Sequence, residues 1–203
     1  MVDWFAVRGP RLVLRPFIEH DADQLLEVQR YNRVAFESVM PVRTDQHFTI
    51  EAQQRQIARD REQWQHDGGY AFAVVFAGRL VGRVTLTNVV RGAWQNATLG
   101  YWIDGRFQGR GLATEAVLAV LAAAFQPLEL HRVQAAIMPR NTPSLAVIQK
   151  AGLRYEGYAP RYLNINGVWE DHRIFSLTRE DYQPHRTVAI ISGQNADERP
   201  TSS

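Results

Sequence analysis

Apolar residues recur along this chain with two periods, and the switches between them predict its elements. Arg11-Leu-Val-Leu-Arg-Pro16 alternates in character and stops at a proline, which holds the preceding residue in extended backbone, so it reads as a first strand. From Asp21 to Arg30, Leu25, Leu26 and Val28 fall on a helical stripe, and Asp21 stands where a carboxylate complements the helix dipole. Asn32 to Phe48 has no period and contains Pro41, and an irregular connection is expected there. Ile50, Ile57 and Trp64, spaced by seven, predict a second helix that Gly68-Gly69 ends. Tyr70–Phe76 and Leu80–Val90 are β-branched and aromatic runs around Ala77-Gly78-Arg79, which predicts an antiparallel hairpin. Arg91–Asn96 turns the chain into a fourth strand, Ala97–Asp104.

Beyond Gly105 a glycine-rich turn leads to an Ala- and Leu-rich helix, Leu112–Phe125, and then a strand, His131–Ile137. A helix over Thr142–Lys150, closed by Gly152, precedes two last strands near Leu153–Tyr162 and Val168–Leu177. The expectation is an α+β fold: a mixed, mostly antiparallel, seven-stranded sheet with about four flanking helices. Residues 1–183 form a single domain in this reading. Residues 184–203, with Pro184, Gly193, Pro200 and only one short apolar stretch at Val188–Ile191, are expected to be a poorly ordered tail.

Composition narrows the chemistry. At 203 residues the chain suits one domain, and no apolar run reaches the roughly 20 residues of a bilayer-spanning helix. Met1–Arg11 lacks a leader pattern and cysteine is absent, so a cytoplasmic protein without membrane partners is expected. The absence of cysteine also removes thiolate catalysis, zinc ribbons and an enzyme-bound thioester; any acyl carrier must come from outside, and no metal is expected. The 23 basic residues against 21 acidic ones leave a net charge of +2, which does not by itself point to nucleic acid.

The segment most informative about function is Gln108-Gly-Arg-Gly-Leu-Ala-Thr-Glu115, which follows a strand and opens a helix. Small residues there let backbone N–H groups converge, and the helix N-terminus adds partial positive charge, a combination suited to a pyrophosphate. Gly109 and Gly111 allow close approach of phosphates, although a tight turn needs glycine anyway. The segment matches neither a P-loop nor the dinucleotide Gly-x-Gly-x-x-Gly.

The order Gln108-x-x-Gly111-x-Ala113, between the strand ending at Asp104 and Asn141-Thr-Pro-Ser144, resembles the GNAT superfamily of N-acetyltransferases. Agreement extends through Asn88-Val-Val-Arg-Gly92, Leu99-Gly-Tyr101, His131-Arg132, Met138-Pro139, Glu156-Gly-Tyr158, Tyr162-Leu163 and Asn166-Gly-Val-Trp-Glu-Asp-His172. Over residues 10–183 the chain is similar to the RimJ-type ribosomal-protein-alanine N-acetyltransferases. The resemblance implies a GNAT fold whose central strands splay to take acetyl-CoA. Gln108, Gly109, Arg110, Gly111, Leu112, Ala113 and Thr114 then hold the pyrophosphate, with Ile103 and Asn141 also on the cofactor. It implies acetyl transfer to the α-amino group of an alanine- or serine-starting ribosomal protein, with Asn32, Arg33, Tyr101 and Tyr162 on the acceptor side and Ser144 donating to the departing sulfur.

The chain departs from its relatives at several positions. Ile148 stands where many carry a tyrosine acid, Arg161 where close ones often carry a carboxylate, and Val39-Met40 where Trp and Glu are usual. The base is therefore sought among Asp171, Glu170 and Glu37, with Asp171 preferred. Asn141-Thr142-Pro143 also reads as a plain helix start, Tyr101, Trp102 and Tyr162 as plain core, and Glu115 as a first-turn carboxylate without a catalytic role. Two other functions stay open: acetylation of a small amine (a polyamine, antibiotic or amino acid), and a non-catalytic ribosome-assembly factor that associates with the ribosome or RNA. Whether the protein is a monomer or a homodimer also stays open.

Overall fold

The computed structural model describes residues 3–192. In chain order the elements are β1 (Phe5–Arg8), β2 (Leu12–Pro16), α1 (Ala22–Tyr31), α2 (Arg33–Glu37), α3 (Ile50–Gln65), β3 (Tyr70–Phe76), β4 (Arg79–Val90) and β5 (Asn96–Ile103). Then follow α4 (Leu112–Phe125), β6 (Arg132–Ile137), α5 (Thr142–Lys150), β7 (Arg154–Ile165), β8 (Val168–Thr178) and β9 (Ala189–Ser192). One sheet joins the strands in the order β7-β8-β6-β5-β4-β3-β2-β1-β9, antiparallel throughout except for the β5–β6 pair.

The sheet has nine strands where seven were expected. The two additions, β1 and β9, are four residues each, too short to display a period, and they pair with each other from Phe5↔Ser192 to Arg8↔Ala189. Ala189–Ser192 thus belongs to the sheet rather than to a disordered tail: the apolar stretch that ends there finds the otherwise open edge of β1. Residues 193–203 of the expected tail lie outside the described residues. The fifth helix, α2, is a single short turn within the segment expected to be irregular.

Residues of β3 alternate between two cores. Tyr70, Phe72 and Val74 join the larger one with Leu112, Val117, Val120 and Leu121 of α4, whereas Ala71 and Ala73 meet Leu25 and Val28 of α1 and Ile57 of α3. Covered on both faces, β3 reads as an unbroken apolar run. Helix α4 is buried nearly all round, which explains its lack of a polar stripe. Asp21, expected to serve the α1 dipole, is instead buried and takes two 2.7 Å hydrogen bonds from Arg15. Asn166 and Gly167, at φ 56° and 84°, make the two-residue turn between β7 and β8 that an Asn-Gly pair favours. Among the described residues no helix is long and apolar enough to cross a membrane.

Candidate active site

The parallel pair β5–β6 is joined only from Asn96↔Arg132 to Thr98↔Gln134. Beyond that point β5 stays paired with β4 as far as Gly82↔Ile103, and β6 with β8 as far as Ile137↔Arg173. Each strand is held by its outer neighbour while the two part, opening a cleft between Leu99–Ile103 and Ala135–Ile137. Thr85 Oγ1 donates to the Gly100 carbonyl at 3.3 Å, which places that carbonyl on the β4 side; alternation then turns the main chain of Tyr101 and Ile103 into the cleft. Main-chain groups in mid-sheet require partners, and a ligand laid between the strands would supply them. One is met internally, since Gln108 Nε2 donates to the Ile103 carbonyl at 2.9 Å.

The cleft leads to the glycine-rich turn. Gly109 and Gly111 have φ of 73° and 77°, the left-handed region that favours glycine, and a Cβ on Gly109 would meet nothing within 4 Å. Backbone torsion, not only room, therefore requires glycine here. Gly111 is the N-cap of α4 and offers no side-chain acceptor, and the first helical bond runs from Glu115 N to Gly111 O. The N–H groups of Leu112, Ala113 and Thr114 are left open at the positive end of the helix, where an anion is favoured.

Across the cleft, α5 begins at Asn141, whose side chain accepts from Ser144 N at 3.3 Å, with Pro143 in the first turn. The helix-start reading of this segment holds, and the cap fixes the Ser144 main chain. Tyr101 spans the opening and donates its hydroxyl to the Ser144 carbonyl at 3.2 Å. Burial pushes the Tyr101 hydroxyl up to about 12 against the effect of that hydrogen bond, so it stays a donor at neutral pH. The Ser144 amide and carbonyl are thus taken, and its hydroxyl is the group left over. Ile148 is fully buried in the larger core.

The opposite face of β5 carries Trp102, which packs on Phe36 of α2 with centroids 5.2 Å apart. A half-open cavity of about 150 Å³ lies there, walled by Phe36, Met40, Phe48 and Trp102 and edged by Arg33 and Glu37. Arg33 lies across the Phe48 ring and pairs with Asp45 at 2.8 Å and Glu37 at 3.4 Å. The tip of the β7–β8 hairpin closes over this segment: Asn166 Oδ1 accepts from Val42 N at 2.6 Å, and its amide donates to the Glu37 carbonyl. The docking partner of this turn was not legible in the sequence.

Four expected site residues have surroundings of their own. Asn32 is buried, and its amide donates to the Val28 carbonyl at 2.8 Å and Asp104 at 3.1 Å while its oxygen accepts from Gly105 N at 2.8 Å. It is a strut under the end of β5 rather than a group facing an acceptor. Asp104 is fully buried; burial pushes its carboxyl up, but hydrogen bonds from Arg106 and Asn32 outweigh this and hold it below its ordinary value. Asp171 accepts from the Tyr158 hydroxyl and, at 2.7 Å, from Arg161 N. The Tyr158 hydroxyl and then the Arg161 amide hold that carboxyl below the usual carboxylate range, which weakens it as a base. It pins a bulge in β7 where Arg161 sits at φ 51°. Tyr162, beside that bulge, is part-exposed and packs on His172. Glu170 is paired with Arg140. Sequence reasoning missed the structural weight of Glu115, which binds the β1–β2 turn through Arg11 N at 2.7 Å, Leu12 N at 3.1 Å and Arg11 Nε at 2.8 Å. No group of side chains suited to a metal occurs among the described residues.

Residues 11–154 match the family model described as an acetyltransferase (GNAT) domain. The chain is 40% identical over 177 residues to a probable N-acetyltransferase, YjcK, of Bacillus subtilis, covering 86% of this chain and 98% of that one. It is 32% identical over 178 residues to the [ribosomal protein uS5]-alanine N-acetyltransferase of Escherichia coli, covering 87% and 92%. Among solved structures, Mycobacterium smegmatis RimJ in complex with CoA-disulfide superposes with a TM-score of 0.83 at 30% identity, over 88% of each chain.

Proposed function

The chain belongs to the GNAT acetyltransferase family and is an acetyl-CoA-dependent N-acetyltransferase, and from that premise we propose that it acetylates the α-amino group of a ribosomal protein beginning with alanine or serine. The observation that carries this reading is the length of the likeness to the uS5-alanine enzyme: at 87% of the chain it includes the acceptor-side segment and the β7–β8 hairpin as well as the cofactor turn.

The site's own groups fit the cofactor. The cleft-facing main chain of Tyr101 and Ile103 would complete its hydrogen bonds on pantetheine, and the open N–H groups of Leu112, Ala113 and Thr114 would hold the pyrophosphate. Bound there, acetyl-CoA supplies an acetyl thioester open to attack by an amine. An α-amino group has an ordinary pKa of about 7.7–8.0, so it needs only a weak acceptor for its proton. Water can take that proton, with Glu37 the carboxylate on the cavity edge. A cleft-facing N–H near Ile103 would hold the acyl oxygen, and the Ser144 hydroxyl would donate to the sulfur that leaves as thiolate. Tyr101 fixes the Ser144 main chain for that role.

The small volume of the half-open cavity beside Trp102, about 150 Å³, favours a second reading, transfer to a small amine rather than to a polypeptide. One assay decides between them: release of free thiol from acetyl-CoA with alanine- or serine-starting peptides, against polyamines, aminoglycosides and amino acids. Turnover on the peptides supports the first reading, and turnover confined to the small amines overturns it.

A further inference from the structure

The Gly111 amide is aimed by residues outside the glycine-rich turn. Arg11, immediately before β2, donates from Nη1 to the Arg110 carbonyl at 2.9 Å. In a planar trans peptide the carbonyl of one residue and the N–H of the next point opposite ways, so a carbonyl drawn toward Arg11 turns the Gly111 N–H away from it. Arg11 cannot swing freely. Its Nε is held by Glu115 Oε2 at 2.8 Å, and its own main-chain N–H is held by Glu115 Oε1 at 2.7 Å. Glu115 is itself confined, being 8% exposed, with the β1–β2 turn pressed so close that a Cβ on Gly9 would lie 2.9 Å from Oε1. Arg11 Nη2 lies 3.5 Å from where a Cβ on Gly111 would stand, so the guanidinium also adds positive charge at the mouth of the turn.

We propose that Arg11 and Glu115 are positioning residues for acetyl-CoA: the Arg11–Glu115 pair holds the Arg110–Gly111 peptide so that the Gly111 N–H joins the open amides of α4 in binding the pyrophosphate. A purely structural role, in which Glu115 only satisfies the main chain of the β1–β2 turn, predicts no preference among ligands. The positioning role predicts that the pair matters only to ligands carrying the pyrophosphate. The inference rests on the cofactor placement proposed above.

The test compares equilibrium binding of coenzyme A with that of pantetheine, which shares the cleft-lying arm but lacks the nucleotide and its phosphates. No acceptor is needed, so the result is independent of which amine the enzyme uses. Arg11→Met keeps the apolar stem and removes the donor. It should weaken coenzyme A about tenfold, the effect of one misaimed hydrogen bond to a charged oxygen, and leave pantetheine unchanged. Glu115→Gln, which keeps the shape and removes the charge, should act in the same direction, and unchanged pantetheine binding also reports that each variant is folded. An equal loss for both ligands, or no loss for either, overturns the inference. A wild-type protein that binds coenzyme A no more tightly than pantetheine overturns the cofactor placement and this inference with it.

Discussion

Replacing Asn32 by Ala separates a strut from a substrate contact. Asn32 makes two hydrogen bonds to main-chain groups, at 2.8 Å each, and a third at 3.1 Å to the buried Asp104 carboxylate. A neutral hydrogen bond contributes about 1 kcal/mol and one to a charged group about 1.5–3 kcal/mol, so Asn32→Ala should destabilise the fold by about 3–5 kcal/mol. Arg106 still holds Asp104, through Nη2 at 2.6 Å, and keeps the loss from growing larger. With a urea slope of about 2–3 kcal/mol/M for a domain of this size, the unfolding midpoint should fall by about 1.5 M. The assay is urea denaturation followed by tryptophan fluorescence, with acceptor kinetics measured on the folded variant. An unmoved midpoint together with a raised KM for the acceptor would return Asn32 to the substrate site and refute the strut.

Ser144→Ala should lower kcat on the order of 10²-fold, as for loss of a proton donor, with little change in coenzyme A affinity; unchanged turnover removes Ser144 from the mechanism. Asp171→Asn should leave the rising limb of the pH–rate profile in place, since the carboxylate is engaged by Tyr158 and Arg161; loss of that limb would make Asp171 the base. Glu156 is held at about 2 against an ordinary 4.5, first by its hydrogen bond from Arg132, so the folded form binds its proton less readily than the unfolded chain. That stabilisation is present above about 4.5 and lost as pH falls toward 2. Glu156→Gln should therefore lower Tm at pH 7, and the gap from wild type should close across that window; a gap that is flat with pH contradicts the pairing.

Long periodic segments were legible residue by residue: α4 and α5 begin and end where the pattern of apolar residues, Gly111, Asn141 and Gly152 place them. The strands β1 and β9 were not, because four residues carry no alternation and their pairing joins positions more than 180 residues apart. The glycine-rich turn was readable because its geometry is local, resting on two glycines and a helix start. The surroundings of Asn32, Asp171 and Glu115 depend on long-range partners, and a carboxylate beside a turn looks the same in sequence whether it acts as a base or holds a bulge. The parting of β5 from β6 was expected from resemblance alone, since nothing in Leu99–Ile103 marks a strand that loses one neighbour halfway along.

In this mechanism the cofactor completes the sheet where β5 leaves β6. Amide hydrogen exchange with and without coenzyme A tests it directly. Coenzyme A should slow exchange at Tyr101 and Ile103 and across Gly111–Thr114, with little change at Phe36–Phe48. Unchanged exchange along β5, or protection confined to the cavity beside Trp102, would contradict it.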